Sequence, residues 1–258
     1  MKTFTGVIAL MLALMFGASS VVVAKEPIGG PGAPGAERML PMPPGEIVSP
    51  EQFGTRLQDI DRQLTSIEAV FTQIEVAKTD QDKDKYADDL ERRLDAYAKA
   101  MLGSITTALK QAELSAMSRG KEGSTELLKS FEDLAKKHED RLKQIDGRAQ
   151  KMRPKSGSIS ELVGGGKVAL DWPMLKKIGD FFISPAEAAI ALSVYTACHQ
   201  SPPNQTACAQ AVTSGIAQTA AAQTTFNACW NRYEGTRPKW WRAVLRAGCV
   251  TALGVRLA

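Results

Sequence analysis

Residues 184–258 read SPAEAAIALSVYTACHQSPPNQTACAQAVTSGIAQTAAAQTTFNACWNRYEGTRPKWWRAVLRAGCVTALGVRLA, and how this stretch is read decides the fold. It holds all four cysteines and three of the four tryptophans. Three helices are expected in it. Ser184 followed by Pro185 is a helix start, a capping hydroxyl before a proline at the first helical position. That helix runs to about His199, where SPPNQ (201–205) breaks it, because two prolines cannot continue a helix. Thr206 is read as the cap of a second, alanine-rich helix running to about Tyr233. Gly235 and Pro238 punctuate again, and a third helix carries WWRAVLRAGCVTALGVRL (240–257).

Geometry selects the cysteine pairing. Cys198 and Cys208 sit almost symmetrically about SPPNQ, so a helical hairpin brings them face to face. Cys208 and Cys229 lie on one expected helix, roughly 30 Å apart along its axis and far beyond the ~7 Å that a disulfide can span between Cα atoms. The expected bonds are therefore Cys198–Cys208 and Cys229–Cys249. The second needs an irregular turn or staggered helices, since Cys249 lies about 9 Å further from the turn than Cys229.

From Ala188 to Asn231 there is no Asp, Glu, Lys or Arg. A soluble surface helix ordinarily carries such residues, so this helix is expected to be wrapped by its neighbours. Small residues recur at Ala207, Ala211 and Gly215, a spacing that lets helix backbones approach closely. A self-association surface is the other reading. Gln210, Gln218 and Gln223 interrupt the apolar content and argue against a membrane span. The last helix is basic instead: Arg242, Arg246 and Arg256 share one sector, preceded by Trp240 and Trp241. These five residues are the candidate contact surface for a protein partner or a membrane surface.

The remainder of the chain frames this region. Residues 1–24 have the positive start, apolar core and Val22-Val23-Ala24 end of a secretory signal peptide. An uncleaved anchor is the alternative. Export would place the protein in the periplasm or outside the cell, where disulfides persist. Residues 25–49 are a Pro/Gly-rich stretch expected to be a disordered linker. Residues 50–153 carry narrow apolar seams. Phe53, Leu57, Ile60, Leu64, Ile67, Phe71 and Ile74 alternate spacings of four and three, as in a coiled coil. Tyr86, Leu90, Leu94, Tyr97, Met101, Ile105 and Leu109 continue the pattern. After a turn near Arg119–Gly123, with Ser124 as cap, so do Phe131, Ala135, His138, Leu142, Ile145, Ala149 and Met152. Residues 154–183 are read as a second linker. The expected fold class is all-α: a coiled-coil-like antiparallel bundle over 50–153, then a smaller disulfide-stapled helical domain over 184–258.

Functional motifs are sparse. GGGK (164–167) lacks the spacing and the following hydroxyl of a phosphate loop. Asp80, Asp82, Asp84, Asp88 and Glu91 occupy calcium-loop positions one, three, five, nine and twelve. Lys85, however, stands where such a loop needs glycine, so an acidic bend or helix face is the reading. His138 falls on an apolar seam as a core residue, and His199 sits at a helix end beside a cysteine that a disulfide would consume. No catalytic, cofactor or metal residues are assigned. Residues 167–258 carry nine basic and four acidic groups, a mild asymmetry that does not resemble a nucleic-acid binder. These features point to an exported, non-enzymatic helical binding or scaffold protein of the bacterial cell envelope, contacting a protein partner or itself. In architecture alone it resembles helical accessory subunits of bacterial secretion or conjugation machines. The rival readings are a membrane-active protein using the C-terminal helices and an envelope hydrolase.

Overall fold

The computed structural model describes residues 48–117, 125–152, 190–200 and 204–258. Among them are six helices and no strand: α1 (Pro50–Val76), α2 (Asp80–Met117), α3 (Thr125–Lys151), α4 (Ile190–Cys198), α5 (Gln205–Arg232) and α6 (Lys239–Leu257). The signal peptide, residues 25–47 of the first linker, the second linker, the Ser124 cap and the Ser184-Pro185 helix start lie outside the described residues. Val48 and Ser49, read as the end of the first linker, belong to the folded part, Val48 buried and Ser49 capping α1.

The first break comes where capping chemistry allows it. Ser49 and Gln52 form a reciprocal capping box at the start of α1, with Pro50 at the first helical position. Between Val76 and Asp80 there is no glycine or proline. Thr79 instead accepts a hydrogen bond from the Asp82 amide at 3.1 Å and donates one to its carboxylate at 2.7 Å. That local pair starts a new helix and turns the chain, so residues 50–117 form a hairpin rather than one rod. Gln111 Nε2 donates to the Val48 carbonyl at 2.9 Å, which ties the far end of α2 to the start of α1.

The four-three seams are buried as read on α1, where all seven seam residues are inside. On α2 and α3 the seams are buried except at their ends, where Tyr86 and Met152 are partly exposed. Charge pairs fix the register of α1 against α3 with a seven-residue step. Arg141 binds Glu68 and Thr65, and Arg148 binds Glu75 and Thr72. Such partly exposed pairs contribute at most about 1 kcal/mol each, so they set alignment more than stability.

Helix α2 is the hub. Beyond its seam it buries Ala98, Leu102, Ser104, Thr106, Thr107, Ala108 and Ala112, and it packs against all five other helices. The described helices of 50–153 and those of 184–258 pack together in one compact unit, because α6 packs along both α2 and α3. Gly254 marks how close that approach is. A Cβ there would come within 2.7 Å of Leu142 Cδ1.

The relative positions of α5 and α6 are the reverse of the expectation. The uncharged helix α5 is peripheral and buries one stripe, Cys208, Val212, Gly215, Thr219, Ala222 and Phe226. The Trp/Arg helix α6 is the enclosed one, burying twelve of its nineteen residues. The cap of α5 also differs. Asn204, not Thr206, accepts the Ala207 amide at 3.0 Å. Both residue types can cap, but the helix begins one turn-forming residue after Pro203, which makes Asn204 the last non-helical position. Asn204→Ala is expected to cost about 1 kcal/mol in urea unfolding, with Thr206→Ala close to neutral.

Both expected disulfides are present, Cys198–Cys208 with Cα atoms 4.3 Å apart and Cys229–Cys249 at 5.9 Å. The second is reached through the irregular turn at residues 233–238, which lets α6 run back along α5.

Candidate functional site

Three places bear on function: the junction of α2 with the start of α6, the buried histidine, and the outer face of α5.

At the first, the α2 residues Asp80, Asp84, Asp88 and Glu91 recur at spacings of four, four and three, and so share one helix face. That face receives the N-terminus of α6. Pro238 offers no side-chain cap; its carbonyl takes the Trp241 and Arg242 amides, at 3.1 and 3.3 Å, and the Trp240 amide needs an acceptor from elsewhere. Asp84 supplies one from across the bundle, accepting the Trp240 amide at 2.8 Å. A carboxylate here also complements the positive end of the helix dipole. Asp80 accepts the Trp240 indole N–H at 3.1 Å, and Asp88 pairs with Lys239 at 3.2 Å. Glu91 is held by two arginines. Arg242 binds it through Nε at 2.7 Å and Nη2 at 3.2 Å, and Arg246 through Nη1 at 2.8 Å.

The calcium-loop resemblance therefore resolves into a docking strip for α6. Among the described residues no group of three metal-ligating side chains is gathered in ligand geometry. The same geometry encloses much of the contact surface expected at Trp240, Trp241, Arg242, Arg246 and Arg256. Both tryptophans are buried, and Arg246 is 7 % exposed, its guanidinium over the Trp230 ring at 4.7 Å. Burial pulls the Arg246 pKa below its ordinary value and Glu91 opposes that shift. Arg242 is raised above its ordinary value, chiefly by its hydrogen bonds to Glu91. Arg256 is partly buried beside Cys229–Cys249. A membrane-binding role for the Trp/Arg face thus has few exposed side chains to act through. No described helix is long and apolar enough to cross a membrane.

The second place is His138, 0 % exposed on α3. Nδ1 lies 2.9 Å from the Tyr97 hydroxyl and Nε2 lies 2.9 Å from Asp61 Oδ1. Asp61 also receives Lys137 at 3.0 Å and Arg141 at 2.8 Å. One proton arrangement satisfies every group: Nε2–H donates to Asp61, and the Tyr97 O–H donates to Nδ1. Burial depresses the His138 pKa, with the Asp61 hydrogen bond pulling the other way. Burial pushes the Tyr97 phenol up, so it stays protonated. Asp61 is held below the usual carboxylate range, first by its hydrogen bond from Lys137. The triad resembles a catalytic relay in composition, but its hydroxyl is enclosed in the core and cannot meet a substrate.

His199 is exposed and stacks on Tyr195 at 5.2 Å. All four cysteines are bonded, so no described thiol is free to act as a nucleophile. An apolar depression beside Cys229–Cys249, lined by Phe226, Leu253 and Arg256 among others, holds about 20 Å³. That is room for one water molecule and not for a substrate.

The outer face of α5 remains. Ala209, Thr213, Ala217, Ala220, Thr224 and Ala228 form an exposed stripe along it, with Gln210, Ser214 and Gln218 beside them. Thr213 and Thr224 donate their hydroxyls to the carbonyls four residues back, at 3.0 Å each. Their polar atoms are thereby engaged within the helix. Sequence reading noticed the missing charges but assigned them to burial. The seven-residue alternation of Cys208, Val212, Gly215, Thr219, Ala222 and Phe226 was the signal for a one-sided helix.

No protein family, curated protein or solved structure matches this chain.

Proposed function

We propose that this is an exported, non-enzymatic binding or scaffold protein of the bacterial cell envelope that makes its contacts through the outer face of α5, with a protein partner or a second copy of itself. The observation that carries the reading is the charge-free stripe from Ala209 to Ala228, with its two threonine hydroxyls already engaged. A partner helix laid against small side chains can approach closely. Ordering alanine and threonine also costs less side-chain entropy than ordering lysine or glutamate. The rest of the described exterior is rich in charge, on α1, α2 and α3 above all. Two disulfides suit an oxidising compartment, which agrees with the leader-like residues 1–24.

The test is site-specific photocrosslinking in the native envelope. A photoreactive residue at position 217 is expected to give one dominant cross-linked species, and the same residue at position 59, on the exposed side of α1, none. Ala217→Arg should abolish the species made from position 213 while leaving the circular dichroism unchanged. Equal labelling from positions 217 and 59, or adducts to lipid only, would remove the basis for the reading.

A further inference from the structure

The two disulfides differ in where they sit on their helices, and the difference is chemical. Cys198 is the last residue of α4, and it is partly exposed. Cys208 lies in the first turn of α5 and is nearly buried. No acidic residue occupies that turn. A thiolate on Cys208 would thus face the positive end of the α5 dipole, which lowers a thiol's pKa and makes it the better leaving group. A thiolate on Cys198 would face the negative end of α4. Cys229–Cys249 differs at the leaving sulfur. Cys229 is partly exposed like Cys198, but Cys249 is buried in the middle of α6, away from a positive helix end, and Cys229 lies near the C-terminal end of α5, where a thiolate is disfavoured.

What Cys198–Cys208 holds in place is α4. This helix has nine residues, too few to persist alone in water. It buries Ile190, Ala191 and Val194. The fit is close at Gly215, where an added Cβ would meet Val194 Cγ2 at 2.8 Å and Leu109 Cδ2 at 3.1 Å. So α4 lies where α5 meets α2, and it packs against α3 as well.

We propose that Cys198–Cys208 is a thiol-exchange site, entered at Cys198 by a small-molecule thiol, and that its opening releases α4 from α2, α3 and α5 while Cys229–Cys249 stays closed. A thiolate attacks Cys198 Sγ and forms a mixed disulfide. The Cys198–Cys208 bond breaks, and its electron pair leaves on Cys208 Sγ. A second thiolate then attacks the sulfur of the bound reagent, giving the reagent's disulfide and the Cys198 thiolate. Two external thiols are oxidised and one protein disulfide is reduced to two thiols. The inference is independent of what binds the outer face of α5.

The experiment treats the purified, fully oxidised full chain with reduced glutathione at neutral pH. Aliquots are quenched with an alkylating reagent and mapped by mass spectrometry. Cys198–Cys208 is expected to open at least about tenfold faster than Cys229–Cys249. The glutathione adduct is expected on Cys198. Hydrogen exchange of the singly opened form should rise in 190–198 and stay protected in α6. Equal or reversed rates, or an adduct on Cys208, would overturn the proposal, as would unchanged exchange in 190–198. Should opening either bond unfold the chain, the initial rates still rank the two, because they are read while most molecules remain oxidised.

Discussion

Glu91→Ala is expected to lose about 3–5 kcal/mol of folding stability, measured as the urea midpoint and slope followed by circular dichroism at pH 7. Glu91 is 12 % exposed at its side chain, and the two arginines it holds, Arg242 and Arg246, are 15 % and 8 % exposed. Removing the carboxylate leaves two guanidinium groups close together in a site that water barely reaches. Arginine cannot shed its proton to escape this. The remaining contacts do not compensate. Arg246 keeps the Trp230 carbonyl at 3.2 Å and Arg242 the Glu234 carbonyl at 3.3 Å, neither of them an anion, and the carboxylate still paired with Arg242, Asp88, stands 4.0 Å away and is largely exposed. The loss is a penalty for isolating charge, not the net worth of the triad. Replacing all three together, as Glu91→Leu with Arg242→Met and Arg246→Met, should therefore bring stability back to within about 2 kcal/mol of the parent. A single substitution costing under about 1 kcal/mol, or a triple as unstable as the single, would show that this cluster does not hold α6 in place.

The same cluster shows what could be read in advance. The seams of α1 and α3 were legible because a four-three alternation is a local property, and the helix that carries it must turn that face inward. The disulfides were legible because a ten-residue hairpin leaves little freedom in which cysteines meet. The roles of α5 and α6 were inverted for a physical reason. Lack of charge on α5 looked like burial, yet alanine, threonine and glutamine can remain in water at little cost. Charge on α6 looked like exposure, yet arginine can be enclosed when a carboxylate is enclosed with it. That carboxylate is Glu91, some 150 residues earlier. Its acidic strip was visible as a spacing. Its purpose depended on which helix would lie against it, and no local pattern encodes that. The narrow seams do not make the core alone: the second face of α2 is covered by α5 and α6.

His138 gives the other large expected effect, and it separates two contributions. His138→Ala is expected to cost about 2–4 kcal/mol. Part is the cavity left by the imidazole, and part is the unpaired Tyr97 hydroxyl, worth about 1–3 kcal/mol when buried. The pH dependence isolates the titration. In the folded protein the His138 pKa lies below the ordinary imidazole value of about 6.5, mainly because of burial. The unfolded chain binds a proton near pH 6.5 that the folded chain refuses. Stability from this group is therefore complete above about pH 6.5 and declines as the pH falls toward the depressed folded value. Asp61 acts lower on the scale. Its folded pKa is below the ordinary carboxylate value, so its contribution is present above that value and lost as the pH falls through the folded one. Of the groups facing the imidazole, Asp61 on α1 favours charging it, and Lys137 and Arg141 on α3 oppose it. Tyr97 on α2 stays a neutral hydroxyl. The wild-type melting temperature should fall between pH 7 and pH 5, and His138→Gln should flatten that slope while keeping a group that can bond Tyr97 or Asp61. An unchanged slope in the variant would mean that the acid sensitivity comes from elsewhere in the bundle. A wild-type slope of the opposite sign would mean that His138 is charged in the folded state; Nδ1–H would then donate to the Tyr97 oxygen, with the Nε2–H bond to Asp61 unchanged.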